Sequence, residues 1–326
     1  MTRTDPLLLL EFTVEKPLSG IRIDSFLSRH LRNYTAFRLQ RMIRARLATK
    51  NGAVAELETR VFAGDEISLR LVEPPDKLLP PEPRKLEILF EDAWILVLVK
   101  PAGLVAHPVG EFHTGTLANA VQFHLDRQTR AKGLLRPGIV HRLDRMTSGV
   151  MVLAKEHRSH TALSVQFQKG QVQKAYLALL EGNLDEDRGE ITRPIGRSAA
   201  RSTVLMSAAS QARNPKPART EYEVVERLPG RTLVRAWPKT GRNHQIRVHF
   251  AAMGHPVVGD EFYEAGGGIT PPTGDRNTRH ALHAERLAFR HPITRTPLEF
   301  ECPLPADWDW GLAMSDWGLD KPRTET

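Results

Sequence analysis

Cysteine is nearly absent: Cys302 is the single one in 326 residues, which excludes an internal disulfide framework and a cysteine-built zinc site. Its neighbours Glu301 and Pro303 give no sign of an activated thiol, so it reads as a small packed side chain. Long apolar runs are missing as well. Leu7 to Leu10 is far short of the roughly 20 residues a membrane helix needs, and no signal-peptide cleavage pattern follows it. A cytoplasmic protein with no membrane partner is expected. Internal repeats are absent, and so are Gly-x-Gly-x-x-Gly, the Walker loop and His-Glu-x-x-His. Those short motifs mark dinucleotide, P-loop and zinc-peptidase sites.

What the chain has is positive charge. Lys and Arg number 46 against 38 Asp and Glu, a formal net charge of +8, with a pI near 9.8. Clustered cations release counterions when they meet phosphates, so a polyanionic partner is favoured. Hydrophobic residues at 40% and charged residues at 26% describe a globular chain long enough to bury a real core. The length suits about two domains.

The charge is densest near the N-terminus, where residues 22–60 hold nine Lys or Arg against three Asp or Glu. Ile23, Phe26, Leu27 and Leu31 share one helical face, and Leu39, Met42, Ile43 and Leu47 share another, with 33–35 between the two helices. Arg38, Arg41, Arg44 and Arg46 stud the second helix. Asn51-Gly52 signals a turn, and residues 66–70 alternate as a strand. Helix pair, basic second helix and trailing Gly-Asp strand together resemble the compact αL-type RNA-binding domain of a small-subunit ribosomal protein. That resemblance makes Arg38, Arg41 and Arg44 candidate RNA contacts.

A proline-rich stretch, residues 73–83, reads as a semi-rigid linker. Beyond it, strands are expected over 86–90, 95–99, 150–153, 175–180 and 233–237. Helices are expected over 116–125, 160–169 and 243–253, the last with Asn243 as N-cap and Gly254 just past its end. No regular β-α-β repeat emerges, which favours a mixed α+β domain over a doubly wound sheet. Residues 265–279, rich in Gly, Thr and Pro, read as a flexible insertion, and 321–326 as a disordered tail.

Residues 138–155 read GIVHRLDRMTSGVMVLAK. Two apolar strand segments flank a polar turn that holds Asp144 between Arg142 and Arg145 and closes with Thr147-Ser148-Gly149, residues suited to a tight bend. The two arginines are expected to hold the carboxyl ionised. On its own, such an Asp-Arg turn is more often structural than catalytic.

His141-Arg142-Leu143-Asp144, followed after two residues by Thr147-Ser148-Gly149, is similar to the catalytic motif of the RluA-type pseudouridine synthases. Four more matches keep the family's order. They are Lys100-Pro101-Ala102-Gly103 with His107-Pro108, and Lys174-Ala175-Tyr176 with Glu181-Gly182. Gly241-Arg242-Asn243-His244-Gln245-Ile246-Arg247-Val248-His249 follows, continued by Gly254-His255-Pro256 and Gly259-Asp260. The last is Leu282-His283-Ala284 with Phe289 and His291-Pro292. The resemblance covers residues 86–303. It implies that Asp144 is the catalytic carboxylate and that Arg142 enters the RNA helix where the target base has left. It also implies that Tyr176 packs against the flipped uracil and that Arg247 pairs with Asp144. His107, His141 and His244 read as structural histidines.

The implied fold is α+β: a catalytic domain over 85–310 on a mixed, largely antiparallel central sheet with flanking helices and loops. A small N-terminal α/β RNA-binding domain spans 12–75, a linker 76–84 and a tail 311–326. The implied reaction breaks the uracil N1–ribose C1′ bond, turns the base and joins C5 to the same carbon. Nothing is oxidised and no group is imported, so no cofactor and no metal are expected. The partner is RNA, ribosomal RNA of the large subunit foremost, with transfer RNA as the alternative. Two further readings stay open: a non-catalytic RNA-binding ribosome-assembly protein, and a carboxylate-pair hydrolase, for which Asp260 and Glu261 have no evident pairing with Asp144.

Overall fold

The computed structural model describes residues 8–32, 34–71, 79–110, 112–129, 135–198, 205–269, 279–305 and 308. The expected tail and residues 270–278 of the expected insertion lie outside that set, as do 76–78 of the linker. Among the described residues no helix is long and apolar enough to cross a membrane.

Strand β1 (Leu8–Thr13) is followed by helices α1 (Ile23–His30) and α2 (Ala36–Arg44), then β2 (Ala48–Lys50), β3 (Ala53–Val54) and β4 (Glu66–Leu71). The strands form one sheet in the order β1-β4-β2-β3. Ile23, Phe26 and Leu27 of the first helix and Leu39 and Ile43 of the second are buried against Ile67 and Leu69 of β4. The helix pair therefore exists because its two apolar faces need the sheet and each other. Thr35 starts α2 by accepting from the Arg38 amide at 3.3 Å. Asn51 and Gly52, at φ +50° and +80°, make the two-residue turn between β2 and β3, where both positions must be left-handed. The apolar run near the N-terminus is β1, an edge strand that begins at Leu8, ahead of the boundary expected at 12.

The second unit runs β5 (Glu87–Glu91), β6 (Ile95–Lys100), α3 (Leu117–Asp126), β7 (Gly138–Ile139), β8 (Ser148–Ala154), α4 (His157–Gln168) and β9 (Gln173–Glu181). There follow β10 (Arg188–Ile191), β11 (Ile195–Arg197), β12 (Met206–Ser207), β13 (Arg213–Lys216), β14 (Thr220–Leu228) and β15 (Arg231–Pro238). Helix α5 (Gln245–Ala252), β16 (Leu282–Arg290) and β17 (Pro297–Glu301) complete it. The central sheet has the order β10-β14-β15-β9-β16-β8-β6-β5, with β17 on β16 and β7 on β8, while β11, β12 and β13 form a small separate sheet. All pairings in the central sheet are antiparallel except β16 with β8. The architecture is thus the mixed, largely antiparallel α+β type.

That one parallel pairing divides the sheet into two halves and has only two rungs, His283 with Ser148 and Ala284 with Gly149. Gly149 sits at φ +124°, and a Cβ there would lie 2.2 Å from the Ala284 carbonyl oxygen. No side chain fits. Side chains staple the same line: Ser148 Oγ lies 2.8 Å from His283 Nδ1, and Thr147 Oγ1 lies 2.8 Å from His280 Nε2.

The start of α5 corrects the expectation at Asn243. The residue before the helix is His244, at φ +55°, and neither it nor Asn243 caps. Gln245, the first helical residue, ties the preceding loop to the helix instead: its Oε1 accepts from the Arg242 amide at 3.0 Å and from Thr240 Oγ1 at 2.7 Å. Gly254 does follow the helix end at φ +96°.

Candidate active site

Residues 140–147 leave β7 and return as β8, so the loop is anchored in the sheet at both ends. The Thr147 amide closes a turn onto the Asp144 carbonyl at 3.1 Å, and Leu143 is buried beneath it. A second anchor comes from Lys100, which is fully buried and donates from Nζ to the carbonyls of Pro101, Leu104 and Arg145 at 2.8, 2.8 and 3.0 Å. Burial pushes this lysine down to about 7. Asp144 is therefore presented by a braced turn anchored to the sheet and to Lys100.

Arg247 approaches from α5, almost wholly buried. Its Nη1 donates to Asp144 Oδ2 at 3.1 Å. Its Nε and Nη2 donate to the two oxygens of Asp260 at 2.6 and 2.7 Å. Such a two-toothed pair sets the plane of the guanidinium as well as its position. Asp260 makes no direct contact with Asp144 and reaches it only through Arg247. His244 completes the ring of groups, with Nε2 3.9 Å from Asp144 Oδ1 and Nδ1 2.6 Å from the Tyr263 hydroxyl.

The electrostatics also differ from expectation. Arg145 turns away from Asp144, donating to the Gly103 carbonyl at 3.2 Å and lying 5.5 Å from the Phe112 ring centre. Arg142 is exposed. Burial works against a charge on Asp144, but His244 and His280, once protonated in acid, and Arg247 at every pH override it and hold the carboxyl well below the ordinary range. Burial holds His280 at about 3, so it is uncharged at neutral pH. Arg247 is then the fixed cation of the site. The expected ionised carboxylate is present, held from 103 residues away and not by its sequence neighbours.

These groups open into a cavity of about 690 Å³ lined by Arg142, Asp144, Lys174, Tyr176, His244 and Arg247 among others. Tyr176, on β9, is half-buried; burial and the Asp144 charge push its phenol up. Of the sequence candidates, Asp144, Arg142, Tyr176 and Arg247 meet in this one cavity. Arg38, Arg41 and Arg44 do not line it; they sit on α2, the last two exposed. His141 is a satisfied structural histidine, stacked on Phe167 at 4.6 Å and accepting from the Val152 amide at 3.1 Å. His107 Nδ1 is buried without a partner among the described residues. Sequence reasoning missed His244, Asp260, Tyr263 and Lys174 as site residues. The signal for the first two was their place inside or just after the Gly241–His249 match, where motif and scaffold look alike in one dimension.

Comparison with known proteins agrees with this arrangement. Residues 94–252 match the family model for RNA pseudouridylate synthase. An uncharacterised RNA pseudouridine synthase of Chlorobaculum parvum is 39% identical over 311 residues, 91% of this chain and 94% of its own length. Ribosomal large subunit pseudouridine synthase D of Nitrosomonas europaea is 39% identical over 306 residues, covering 91% of this chain and 85% of its own. Among solved structures, human RNA pseudouridylate synthase domain containing 1 superposes with a TM-score of 0.52 at 31% identity, over 68% of this chain and 86% of its own. The matched segment runs from β6 through the Asp144 turn to the end of the Arg247 helix, and the relatives extend it along nine-tenths of the sequence; the chain belongs to the RluA-type RNA pseudouridine synthase family.

Proposed function

We propose that this RNA pseudouridine synthase acts on uridines of large-subunit ribosomal RNA, with Asp144 as its catalytic carboxylate. The observation that carries the assignment of Asp144 is its contact with Arg247 at 3.1 Å inside the cavity that also holds Tyr176. An ionised carboxylate in such a place can attack ribose C1′ as uracil leaves, or take the C2′ proton to give a glycal-like intermediate. In either route the base must turn before C5 meets C1′. Tyr176 packs against the base while it is loose, and the RNA seated over the open cavity keeps out the water that would convert isomerisation into base loss. Arg142, exposed at the cavity, fills the gap the flipped base leaves in the RNA stack, repaying part of an unstacking cost of a few kcal/mol. Arg247 fixes the direction of the carboxylate.

The choice of RNA is supported by the relative named for the ribosomal large subunit and by the net charge of +8. Residues 12–75 supply affinity through phosphate contacts of Arg38, Arg41 and Arg44, and residues 85–310 supply the chemistry. Mapping pseudouridines in ribosomal and transfer RNA from cells with and without the gene tests the substrate. Sites lost from large-subunit RNA support the proposal. Sites lost only from transfer RNA would replace it with the alternative substrate.

A further inference from the structure

Lys174 precedes Tyr176 by two residues on β9, so both side chains leave the same face of the strand, roughly 6–7 Å apart along it. Both line the cavity. Lys174 is half-buried, and burial pulls its ammonium below the ordinary lysine range. A buried cation normally has a protein acceptor. The other sheltered lysines do: Lys100 has three carbonyls, Lys155 has Glu91 at 2.7 Å, and Lys50 has Asp65 at 2.8 Å. Lys174 has no hydrogen bond or ion pair among the described residues. Its one electrostatic neighbour is His141, which burial and then Lys174 drive down to about 3 and which is therefore uncharged at neutral pH.

Position narrows what completes it. Asp144 has Arg247 at 3.1 Å and His244 at 3.9 Å, whereas Lys174 lines the cavity from β9, two positions before Tyr176. On its other side the cavity wall is Gln168 and Gly170, both exposed, at the end of α4. This exposed wall leaves Lys174 within reach of a phosphate from solvent. We propose that Lys174 is a phosphate-binding residue of the active-site cavity, pairing with the backbone phosphate beside the uridine that enters it. The proposal rests on the assignment of this cavity as the uridine site. The RNA phosphate supplies the anion that the protein withholds, so the cation is costly in the free enzyme and compensated only in the complex.

The experiment combines Lys174→Gln, Lys174→Met and Lys174→Arg with a short RNA hairpin in which single methylphosphonate linkages replace the phosphates around the target one by one. Lys174→Gln should raise KM about tenfold, keep the saturating single-turnover rate within about twofold, and flatten the salt dependence by about one charge. Lys174→Arg should restore most of the affinity. One neutral linkage should cost the wild type the same factor and cost Lys174→Gln nothing more. With no protein anion to lose, Lys174→Met should raise the melting midpoint of the free enzyme by about 2–4 °C, whereas a lysine that props the fold would lower it. Loss in the saturating rate with KM unchanged, or equal sensitivity of wild type and Lys174→Gln to every neutral linkage, overturns the phosphate assignment. Wild-type turnover on the unmodified hairpin separates these outcomes from failure of the site assignment, which would show as no pseudouridine at all.

Discussion

Arg247 donates from Nε and Nη2 to both oxygens of Asp260, at 2.6 and 2.7 Å. The fork leaves Nη1 aimed at Asp144, so the orientation of the carboxylate is set by a second acid that never touches it.

Asp260→Asn is expected to break a buried pair and cost about 3–5 kcal/mol of stability, read by urea unfolding. With Arg247 no longer held in plane, the single-turnover rate should fall at least about tenfold while RNA binding persists. A variant with native stability and native rate would mean that Asp260 does not hold Arg247.

Asp144→Asn should fold, because Arg247 keeps Asp260 as its counter-ion. The lost charge-assisted bond costs about 1.5–3 kcal/mol. The amide can be neither nucleophile nor base at neutral pH, so no pseudouridine should form even at high enzyme. RNA affinity should hold or rise, since a negative charge has left an RNA-facing cavity. Substantial turnover by a verified variant would refute the catalytic assignment.

Stability should fall as the solution is acidified. Burial holds His280 at about 3 and His283 at about 4, whereas an unfolded histidine titrates near ~6.5. Between those values the unfolded chain binds more protons, so each histidine removes about 1.4 kcal/mol per pH unit on the way down. His280→Gln should flatten the slope by about one proton. Asp144 behaves differently: its folded value is depressed, so its contribution is complete above the ordinary carboxylate value and is lost progressively as the pH falls from there toward the depressed folded value. An activity limb near neutrality would then belong to another group, which a pH–rate profile of the single-turnover step would reveal.

Arg142→Ala should impair turnover on a paired target more than on one already unpaired, because the exposed side chain is proposed to replace the departed base. Fluorescence of a base analogue beside the target reads the flipping step directly. Equal losses on both substrates would point to a different role.

The helix faces around Ile23 and Leu39 were legible because a 3.6-residue period is local, and the Asn51-Gly52 turn because both positions need left-handed backbone. Asp144, Tyr176 and Arg247 were legible through motif order. The pairing of Asp144 with Arg247 across 103 positions came from the family resemblance alone. Ser148 meets His283 across 135 positions and Arg247 meets Asp260 across 13, and no local pattern encodes either. Reading Arg142 and Arg145 as partners of Asp144 failed for the complementary reason. Adjacent residues in an irregular turn point apart, and Arg145 spends its donor on Gly103. Strands such as β14 and β16 carry charges among their apolar residues, Glu223 and Arg286 for example, which blurred the alternation that marks a strand.

The two-rung parallel pairing at Gly149 and Ala284 has a consequence for how activity arises during folding. Asp144 belongs to the half of the sheet that contains β8 and β6, while Tyr176 and Arg247 belong to the half built on β9 and β15. Each half has its own antiparallel pairings, but neither contains a complete site. Catalytic competence is therefore a property of the joint, gained only when two separately formed halves lock in register, and on refolding it should return after the bulk of the sheet signal. Any residue larger than glycine at position 149 would hold the joint open and leave two well-ordered halves with no enzyme between them.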